Sequence, residues 1–291
     1  MSAIIIDGKA IAANIREKVK IRAERLRECS VTPALAVVLV GEDPASLSYV
    51  NGKEKALAQA RMESRDERLD ASCTEAELLS LIEELNRDTR IHGILVQLPL
   101  PAHINEEKII AAIDPAKDVD GFHPVSVGNL VLGRPGFVPC TPHGVLVLLR
   151  ELNIPTAGAH AVIVGRSNIV GKPLANLLTR RDINATVTVC HTGTADLARY
   201  TREADILIAA AGRPGLITRD MIKPGAAVID VGVNRVPEKL AKNGYRLCGD
   251  VCPDVKEQAG YFTPVPGGVG PMTIAMLLQN VIIAAEQTLK N

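Results

Sequence analysis

Two residues that could do chemistry lie four positions apart in the segment SLSYVNGKEKALAQ, residues 46–59. The segment has the pattern of a helix, in which residues four apart share one face. We therefore expect Tyr49 and Lys53 side by side, and Lys55 on roughly the opposite side. On its own the pair favours a solvated lysine beside a half-buried tyrosine over a site that handles protons. The rest of the sequence has to decide between these two interpretations.

A Tyr followed four residues later by Lys also occurs in short-chain dehydrogenases, where the Lys lowers the pKa of the Tyr. In that family a glycine-rich nucleotide turn precedes the pair by a long interval. Here the only such turn follows it, at Gly165. This order argues against that family.

Three further segments carry polar or conformationally unusual residues. VQLPLP (96–101) places Gln97 in an apolar strand that is expected over 93–100, and a buried Gln needs a partner or a ligand. KDVDGFHP (117–124) carries two carboxylates before a Gly, in a loop expected at the C-terminal edge of a sheet, where open α/β sheets bind ligands. TPVPGGVGPMT (263–273) is too rich in Pro and Gly for a regular element and predicts a tight loop with a cis X-Pro bond. Each segment is also compatible with a plain turn.

The segment AVIVGRSNIVGKP (161–173) predicts a strand, a Gly turn and a helix that opens with a second Gly. Backbone N–H groups at such a helix start suit a phosphate. The spacing from Gly165 to Gly171 fits neither GxGxxG nor a phosphate-binding P-loop, so the motif alone does not separate a nucleotide site from a tight turn. Further βα units after it favour a nucleotide-binding sheet.

The choice of nucleotide depends on the residues after the next strand. NAD-preferring sheets end that strand with an acid that binds the ribose 2′-hydroxyl. Here ATVTVC (185–190) leads into His191 and Thr192, the first carboxylate is Asp196, and Arg166 lies in the first turn. A cation and hydroxyls without an acid favour a 2′-phosphate, and so NADP. His191 is equally compatible with a partly buried loop residue.

Apolar runs alternate with helical patterns along the whole chain, which predicts an α/β protein made of βαβ units. The strand candidates are 34–40, 93–100, 161–165, 185–190, 205–211 and 226–232, and the helix candidates are 9–28, 46–61, 74–87 and 169–180. The Gly- and Pro-rich stretch 121–142 predicts a seam, after which Thr141 and Pro142 are expected to open a helix as its N-cap and first residue. The last helix is expected from about Met272 onward.

The composition limits the class of protein. Lys and Arg (33) balance Asp and Glu (33), which argues against nucleic acid or an anionic membrane as the main partner. The N-terminus lacks the apolar run of a signal peptide, and MTIAMLLQNVIIAA near the C-terminus is expected to be too short to span a bilayer. The six Cys are scattered without a CxxC pair, so we expect reduced thiols in a cytoplasmic protein and no metal site.

Eight motifs in order resemble the bifunctional methylenetetrahydrofolate dehydrogenase/methenyltetrahydrofolate cyclohydrolases. They are YVNGKEK, GILVQLPLP, KDVDGFHP, FVPCTP, VGRSNIVGKP, KPGAAVIDVGVN, GDV and TPVPGGVGPMT, from about Tyr49 to Thr273. The resemblance implies a folate-binding catalytic domain (1–138) and an NADP-binding Rossmann-type domain (139–271) with a folate cleft between them. It also implies that a C-terminal helix (272–291) returns to the first domain, and that the protein is a homodimer. The implied reactions are NADP-linked oxidation of methylenetetrahydrofolate and hydrolysis of the methenyl product to formyltetrahydrofolate.

The resemblance also implies roles for individual residues. The implied catalytic residues are Lys53, Tyr49, Gln97 and Asp120. The implied substrate-binding residues are Tyr49, Gln97, Asp120, Pro264, Gly267 and Gly268. The implied cofactor-binding residues are Gly165, Arg166, Ser167, Ile169, Gly171, His191, Thr192 and Val233. Thr192 replaces a Ser that is common in the family, and retains its hydroxyl.

These residues fit the two reactions. A Lys held by Gln97 beside a cationic folate is expected to have a lowered pKa, so that Lys53 could transfer protons when water attacks. Tyr49 is expected to stack on the folate or to hydrogen-bond it, and Asp120 to anchor the pterin. Two alternatives stay open: a dehydrogenase with little cyclohydrolase activity that uses NAD or NADP, and a non-enzymatic nucleotide-binding protein.

Overall fold

The computed structural model describes residues 2–238 and 244–289, and within the second helix it leaves out the side chains of residues 44–46, 48 and 49. The strands are β1 (Ile4–Ile5), β2 (Ala34–Val40), β3 (Glu63–Leu69), β4 (Gly93–Val96), β5 (His160–Val164), β6 (Thr186–Cys190), β7 (Ile206–Ala209), β8 (Ala227–Asp230), β9 (Asn234–Pro237), β10 (Tyr245–Cys248) and β11 (Tyr261–Phe262). The helices are α1 (Gly8–Glu28), α2 (Pro44–Gln59), α3 (Glu75–Arg87), α4 (Glu106–Ala112), α5 (Pro124–Leu132), α6 (Cys140–Glu151), α7 (Gly171–Leu178), α8 (Leu197–Thr201) and α9 (Val269–Thr288). Short 3₁₀ helices cover Arg219–Met221 and Pro253–Glu257.

The chain divides into two compact units. The N-terminal unit comprises Ala13–Val138 and Ile274–Asn291, and the C-terminal unit comprises Met1–Ala12 and Pro139–Thr273. Strand β1 pairs with β11 in the sheet of the C-terminal unit. The first residues therefore depart from the limit of 1–138 that the sequence suggested, because the edge of β11 gives β1 a partner.

The N-terminal unit contains a three-stranded parallel sheet in the order β3-β2-β4. Every residue of the central strand β2 is buried, as its apolar sequence predicts. The sequence did not predict β3, whose residues ESRDERL lack apolar alternation. This strand lies at an edge, where one face is open to solvent and Arg65 pairs with Glu67, Glu84 and Asp88.

The C-terminal unit contains a parallel sheet in the order β1-β11-β8-β7-β5-β6 and an antiparallel hairpin, β9 with β10. Strands β5, β6, β7 and β8 confirm the strand candidates to within two residues at each end. The order reverses between β5 and β7, since the chain passes from β5 outward to β6 and then returns. This reversal is where open α/β sheets bind their ligands.

Three expectations about local structure were wrong. Strand β4 ends at Val96, so Gln97 follows the strand rather than lying within it. The seam contains helix α5, which His123 caps by accepting a hydrogen bond from the N–H of Val125. Helix α6 begins at Cys140 after Pro139, so Thr141 lies inside the helix, where its hydroxyl bonds that of Thr273.

The expectation that the apolar segment MTIAMLLQNVIIAA is too short to span a bilayer is not met, because the segment lies within a longer apolar helix. Helix α9 has 20 residues and a mean hydropathy of 1.4, so its length and composition would allow it to cross a membrane. In its most apolar stretch of 18 residues, 61% is buried within the protein. A helix in the core of a protein has the same length, composition and burial. In the described part of the chain α9 is the one helix that meets those criteria.

Candidate active site

In the N-terminal unit, the structure brings together Lys53 and Gln97. Nζ of Lys53 donates a hydrogen bond to Oε1 of Gln97 over 3.0 Å. The amide of Gln97 donates to the carbonyl of Leu98 over 2.7 Å, which fixes Oε1 as the atom that faces the ammonium group. Lys53 is half-buried, whereas Lys55 is exposed.

Backbone contacts at the end of β4 position Gln97. Its N–H donates to the carbonyl of Val38 in β2, and the peptide bond between Leu98 and Pro99 is cis. The side chain therefore extends from the carboxyl edge of the parallel sheet. Sequence reasoning selected Gln97 as a buried polar residue of a strand, but its position just after the strand is what directs it toward Lys53.

The loop with Asp118 and Asp120 runs beside β4. The N–H of Ile94 donates to the carbonyl of Lys117, and a side chain at Gly93 would come within 2.6 Å of Val119. Lys117 donates to the carbonyls at the end of α3, those of Leu85, Asn86 and Asp88. The ammonium group thus fastens the loop to the helix terminus, where exposed carbonyls favour a cation.

The two carboxylates of this loop have different environments. Asp118 is buried and accepts hydrogen bonds from the N–H groups of Phe122 and His123, so it shapes the turn at Gly121. Asp120 lacks those contacts, and burial raises its pKa to about 6. The positive charge of Lys53 opposes this rise and the negative charge of Asp118 adds to it. Asp120 is thus the carboxylate that remains available to a ligand.

Helix α9 also supports this loop. The side chain of Asn280 donates to the carbonyls of Val119 and Val138 over 2.8 and 3.2 Å. Asn280 appeared in the sequence only as a polar break in an apolar run. The backbone of Tyr49 lies in α2 one turn before Lys53, and its side chain lies outside the described residues.

In the C-terminal unit, the predicted nucleotide turn is tightly packed. Gly165 has φ of +137°, and a side chain there would meet the carbonyl oxygen of Ala210 at 2.1 Å. A side chain at Gly171 would meet the carbonyl oxygen of Gly165 at 2.1 Å. The unusual spacing of the two glycines is therefore explained, since each lets one backbone approach another.

The sequence suggested that backbone N–H groups at the start of α7 would be free to bind a phosphate, but in the structure they have partners. The hydroxyl of Ser167 accepts hydrogen bonds from the N–H groups of Val170 and Gly171, and the N–H of Lys172 donates to the carbonyl of Ser167. These groups are satisfied within the turn. Charge for a phosphate must therefore come from the side chains around the turn.

A cavity of about 400 Å³ lies at the carboxyl ends of β5, β6 and β7. It is lined by Val164, Gly165, Arg166, Ser167, His191, Thr192, Thr194, Leu197, Ala210, Ala211, Arg213 and Leu216. Ile169 (39% exposed) and Val233 (43% exposed) lie on the surface, and these two residues and Gly171 are outside the lining. Sequence reasoning missed Arg213, although a basic residue just after β7 was a usable signal.

The turn after β6 is held by local hydrogen bonds. Nδ1 of His191 accepts from the N–H of Gly193, and the hydroxyl of Thr194 accepts from the N–H of His191. The neutral ring therefore carries its proton on Nε2. Asp196 caps α8 by accepting from the N–H of Arg199, so the first acid after the strand is used structurally.

The predicted folate-binding loop of the C-terminal unit begins at Thr263. The N–H of Gly268 donates to the carbonyl of Pro264, Gly267 has φ of +114°, and the bond between Val265 and Pro266 is cis, as the sequence predicts. A side chain at Gly8 would meet the carbonyl oxygen of Gly268 at 1.9 Å. The loop therefore packs directly on the start of α1.

Fold and site together define an α/β enzyme with a nucleotide-binding sheet in one unit and a lysine–carboxylate centre in the other. The chain matches the family models for the tetrahydrofolate dehydrogenase/cyclohydrolase catalytic domain over residues 6–120 and for its NAD(P)-binding domain over residues 139–289. It belongs to this family, and it is a bifunctional enzyme with dehydrogenase and cyclohydrolase activities.

Individual relatives are similar over nearly their whole length. The bifunctional protein FolD of Exiguobacterium sibiricum is 58% identical, over 98% of this chain and 100% of the relative. The crystal structure of the bifunctional FolD enzyme from Campylobacter jejuni has a TM-score of 0.94 and 48% identity, over 99% of this chain and 100% of that one. The Trypanosoma brucei enzyme, solved with NADP and an inhibitor, has a TM-score of 0.96 and 40% identity, over the full length of both chains.

These findings confirm the family, the α/β fold class and the two activities that the motifs implied. They also confirm a nicotinamide cofactor, because the matched C-terminal domain binds NAD(P) and the Trypanosoma brucei structure contains NADP. The non-enzymatic alternative is thereby set aside. In the described part of the chain, no group of three or more His, Cys, Asp or Glu is arranged to hold a metal.

Proposed function

We propose that the enzyme oxidises 5,10-methylenetetrahydrofolate with NADP and hydrolyses the methenyl product to 10-formyltetrahydrofolate, with Lys53, Gln97 and Asp120 as the reaction centre. The observation that carries the proposal is the hydrogen bond of 3.0 Å between Lys53 and Gln97, close enough to Asp120 for the charge of Lys53 to act on its carboxyl group. Tyr49, one turn before Lys53, completes the proposed folate site. Pro264, Gly267 and Gly268 are proposed as further folate-binding residues.

The hydrolysis needs a group that moves protons. Water adds to the cationic amidinium carbon, loses a proton, and one C–N bond then breaks as its nitrogen gains a proton. In its neutral amine form, Lys53 is proposed to take the proton from water and deliver it to the departing nitrogen. Gln97 is proposed to orient the amine, because its Oε1 accepts a hydrogen bond from Nζ of Lys53.

Asp120 is proposed to bind the amino-pyrimidine edge of the pterin. That edge presents two N–H donors, and a carboxylate accepts such a pair with both oxygens. Asp118 cannot serve in this way, because backbone N–H groups occupy its oxygens.

The cavity in the C-terminal unit fits a dinucleotide phosphate. Its floor is backbone at Gly165, and Arg166 and Arg213 supply positive charge. None of the described residues that line it is acidic. Arg166, Ser167, His191 and Thr192 are proposed to hold the 2′-phosphate side of NADP, with Ile169, Gly171 and Val233 as further contacts. When bound, NADP supplies the acceptor for the hydride of the first reaction.

An assay with methylenetetrahydrofolate and NADP tests the two proposed reactions. Reduced nucleotide and methenyl absorbance are followed separately, and we expect the methenyl signal to stay low while reduced nucleotide accumulates. Reduced nucleotide with stoichiometric accumulation of methenyl product would instead indicate a dehydrogenase with little cyclohydrolase activity. Repeating the assay with NAD measures the preference between the two nucleotides.

Replacing Arg166 should remove the preference for NADP. In Arg166→Ala we expect KM for NADP to rise about tenfold or more, since a charge-assisted bond to phosphate contributes about 1.5–3 kcal/mol. Activity with NAD should change little. Arg181→Ala, at an exposed arginine after α7, is the matched control. Equal weakening of both nucleotides would contradict contact between Arg166 and the 2′-phosphate.

Folate binding should depend on pH through Asp120. Its pKa of about 6 means that the carboxylate is protonated, and is a poorer acceptor, below that pH. We therefore expect KM for the folate, measured at saturating NADP, to rise as pH falls through about 6. Steady-state KM between about pH 5 and pH 8 measures this, and Asp120→Asn should flatten the profile. A wild-type profile without an inflection near the pKa of Asp120 would rule out its ionised form as the folate ligand.

We further propose a cytoplasmic homodimer that acts on free tetrahydrofolate derivatives, without nucleic acid or membrane as partner. The balanced charge (33 basic and 33 acidic residues) and six cysteines without a disulfide support this assignment. Light scattering after size exclusion should give twice the mass of 31.0 kDa.

A further inference from the structure

Two buried carboxylates outside the proposed site residues link the segments that follow β7, β8 and β10. Asp230, at the end of β8, is 2% exposed, and Asp250, just after β10, is 0% exposed. Buried carboxylates are costly unless their oxygens accept hydrogen bonds. Each of these two has three donors.

Asp230 fixes the backbone that carries Asp250. Its oxygens accept hydrogen bonds from the N–H groups of Gly232, Asp250 and Val251, each over 3.0 Å. A side chain at Gly249 would lie 1.8 Å from Oδ2 of Asp230. Glycine is therefore required there for the carboxylate to reach the neighbouring N–H groups.

Asp250 in turn fixes the turn after β7. Its Oδ2 accepts from the N–H groups of Ala211 and Gly212 over 2.7 and 2.9 Å. Its Oδ1 accepts from the side-chain amide of Asn234 over 2.8 Å. A side chain at Gly232 would lie 2.2 Å from that oxygen, so the segment after β8 is also packed on Asp250.

The turn held by Asp250 borders the proposed nucleotide site. Ala211 lines the cavity, and the carbonyl of the preceding Ala210 is the group that a side chain at Gly165 would strike. In the sheet, β6 lies on one side of β5, whereas β7 and β8 lie on the other side. A dinucleotide that binds across the sheet therefore places its two halves on different strands. The adenosine half belongs over β6, with His191 and Thr192, and the nicotinamide half belongs over β7 and β8.

We propose that Asp250 is a positioning residue for the nicotinamide half of the cofactor. It acts through the backbone of Ala211 and Gly212 and through Asn234, which shape the surface over β7 and β8. Its oxygens are occupied by these donors, so it has no part in proton transfer. The inference rests on the proposed placement of NADP over the sheet.

The test compares NADP with adenosine 2′,5′-bisphosphate, which carries only the adenosine half. Asp250→Asn keeps the size of the side chain but turns an N–H₂ group or a weaker amide oxygen toward the N–H groups of Ala211 and Gly212. We expect Kd for NADP to rise about tenfold, and kcat of the dehydrogenase to fall, while Kd for the bisphosphate stays within about twofold. Methenyl hydrolysis without nucleotide should be unchanged. Asp254→Asn, an exposed acid four residues along, is the matched control.

Two results would overturn the inference. Unchanged NADP affinity in Asp250→Asn would show that the turn holds its shape without the carboxylate. Equal weakening of NADP and bisphosphate would show a general loss of structure in the unit. If Asp250→Asn does not fold, Asn234→Ala removes only one of the three donors to Asp250. This variant should raise Kd for NADP but not Kd for the bisphosphate. An unchanged Kd for NADP, or an equal rise in both Kd values, would again overturn the inference. A wild-type enzyme that does not bind the bisphosphate would instead contradict the proposed cofactor site.

Discussion

Lys53→Met should lose methenyl hydrolysis while its NADP affinity is retained. Methionine approximates the aliphatic length of lysine but cannot accept or deliver a proton, and general acid–base catalysis contributes about 10²–10⁴-fold in rate. Oε1 of Gln97 also loses the donor that it accepts from. The decay of methenyl absorbance measures the hydrolysis, and a titration with NADP measures the cofactor site, which lies in the other unit.

Lys55→Met is the matched control for this variant. Lys55 lies on the same helix two residues further along, and its side chain is exposed. We expect its hydrolysis rate to stay within about twofold of the wild type, as for surface substitutions away from a site. Full hydrolysis in Lys53→Met would remove Lys53 from the reaction centre. Equal losses in both variants would indicate damage to α2 rather than missing chemistry.

Asp120→Asn should lose folate binding and gain stability at the same time. The amide presents only one acceptor oxygen, so KM for the folate should rise in both reactions, by about tenfold or more. The gain in stability follows from the pKa of the carboxyl, which burial raises from 3.8 to about 6. The folded state therefore holds a proton more tightly than the unfolded state does, and the native fold loses stability as pH rises from the lower value through the higher one.

The size of this gain is limited by the surroundings of Asp120. The shift, which already includes the attraction to Lys53, corresponds to at most about 3 kcal/mol, and the partial exposure of Asp120 reduces the figure to about 1–2 kcal/mol. We expect a higher melting temperature for Asp120→Asn at about pH 8 and little difference at about pH 2.5, where the carboxyl is protonated in both states. Glu24→Gln, at an exposed carboxylate of α1, controls for the change in net charge. Unchanged folate affinity together with an unchanged melting temperature at both pH values would make Asp120 a turn residue only.

Both predictions depend on how far the N-terminal unit could be predicted. Strand β2 and helix α3 were predictable because their signals are local: an apolar run buried on both faces, and a Thr74–Glu77 capping box before an amphipathic pattern. Strand β3 was not predictable, since its stability comes from β2 beside it and from the ion pairs of Arg65. Helix α5 was not predicted, because the Gly and Pro residues around it obscure its helical pattern in the sequence. The hydrogen bond by which His123 caps the helix is visible only in the structure.

The candidate site shows the same division. Gln97 and Asp120 attracted notice because polar residues beside buried strands are unusual, and the order of motifs identified the family. Their pairing with Lys53 depends on segments more than forty residues apart, and only the packed sheet brings them together. The sequence also did not indicate which of the two carboxylates in the loop stays available. That difference arises from the turn at Gly121, which points two backbone N–H groups at Asp118.

The sequence by itself determined the α/β class, the central strands, the family and its two activities, because these depend on local periodicity and on motifs of specific composition. The tertiary structure decided which side chains share a site and which serve the backbone. Asp250 shows this most clearly, since its three donors come from segments between sixteen and thirty-nine residues away. Tyr49 and Lys53 began as a pair on one helix. Only the edge of the neighbouring sheet, with Gln97 at its end, gives Lys53 a partner and a direction.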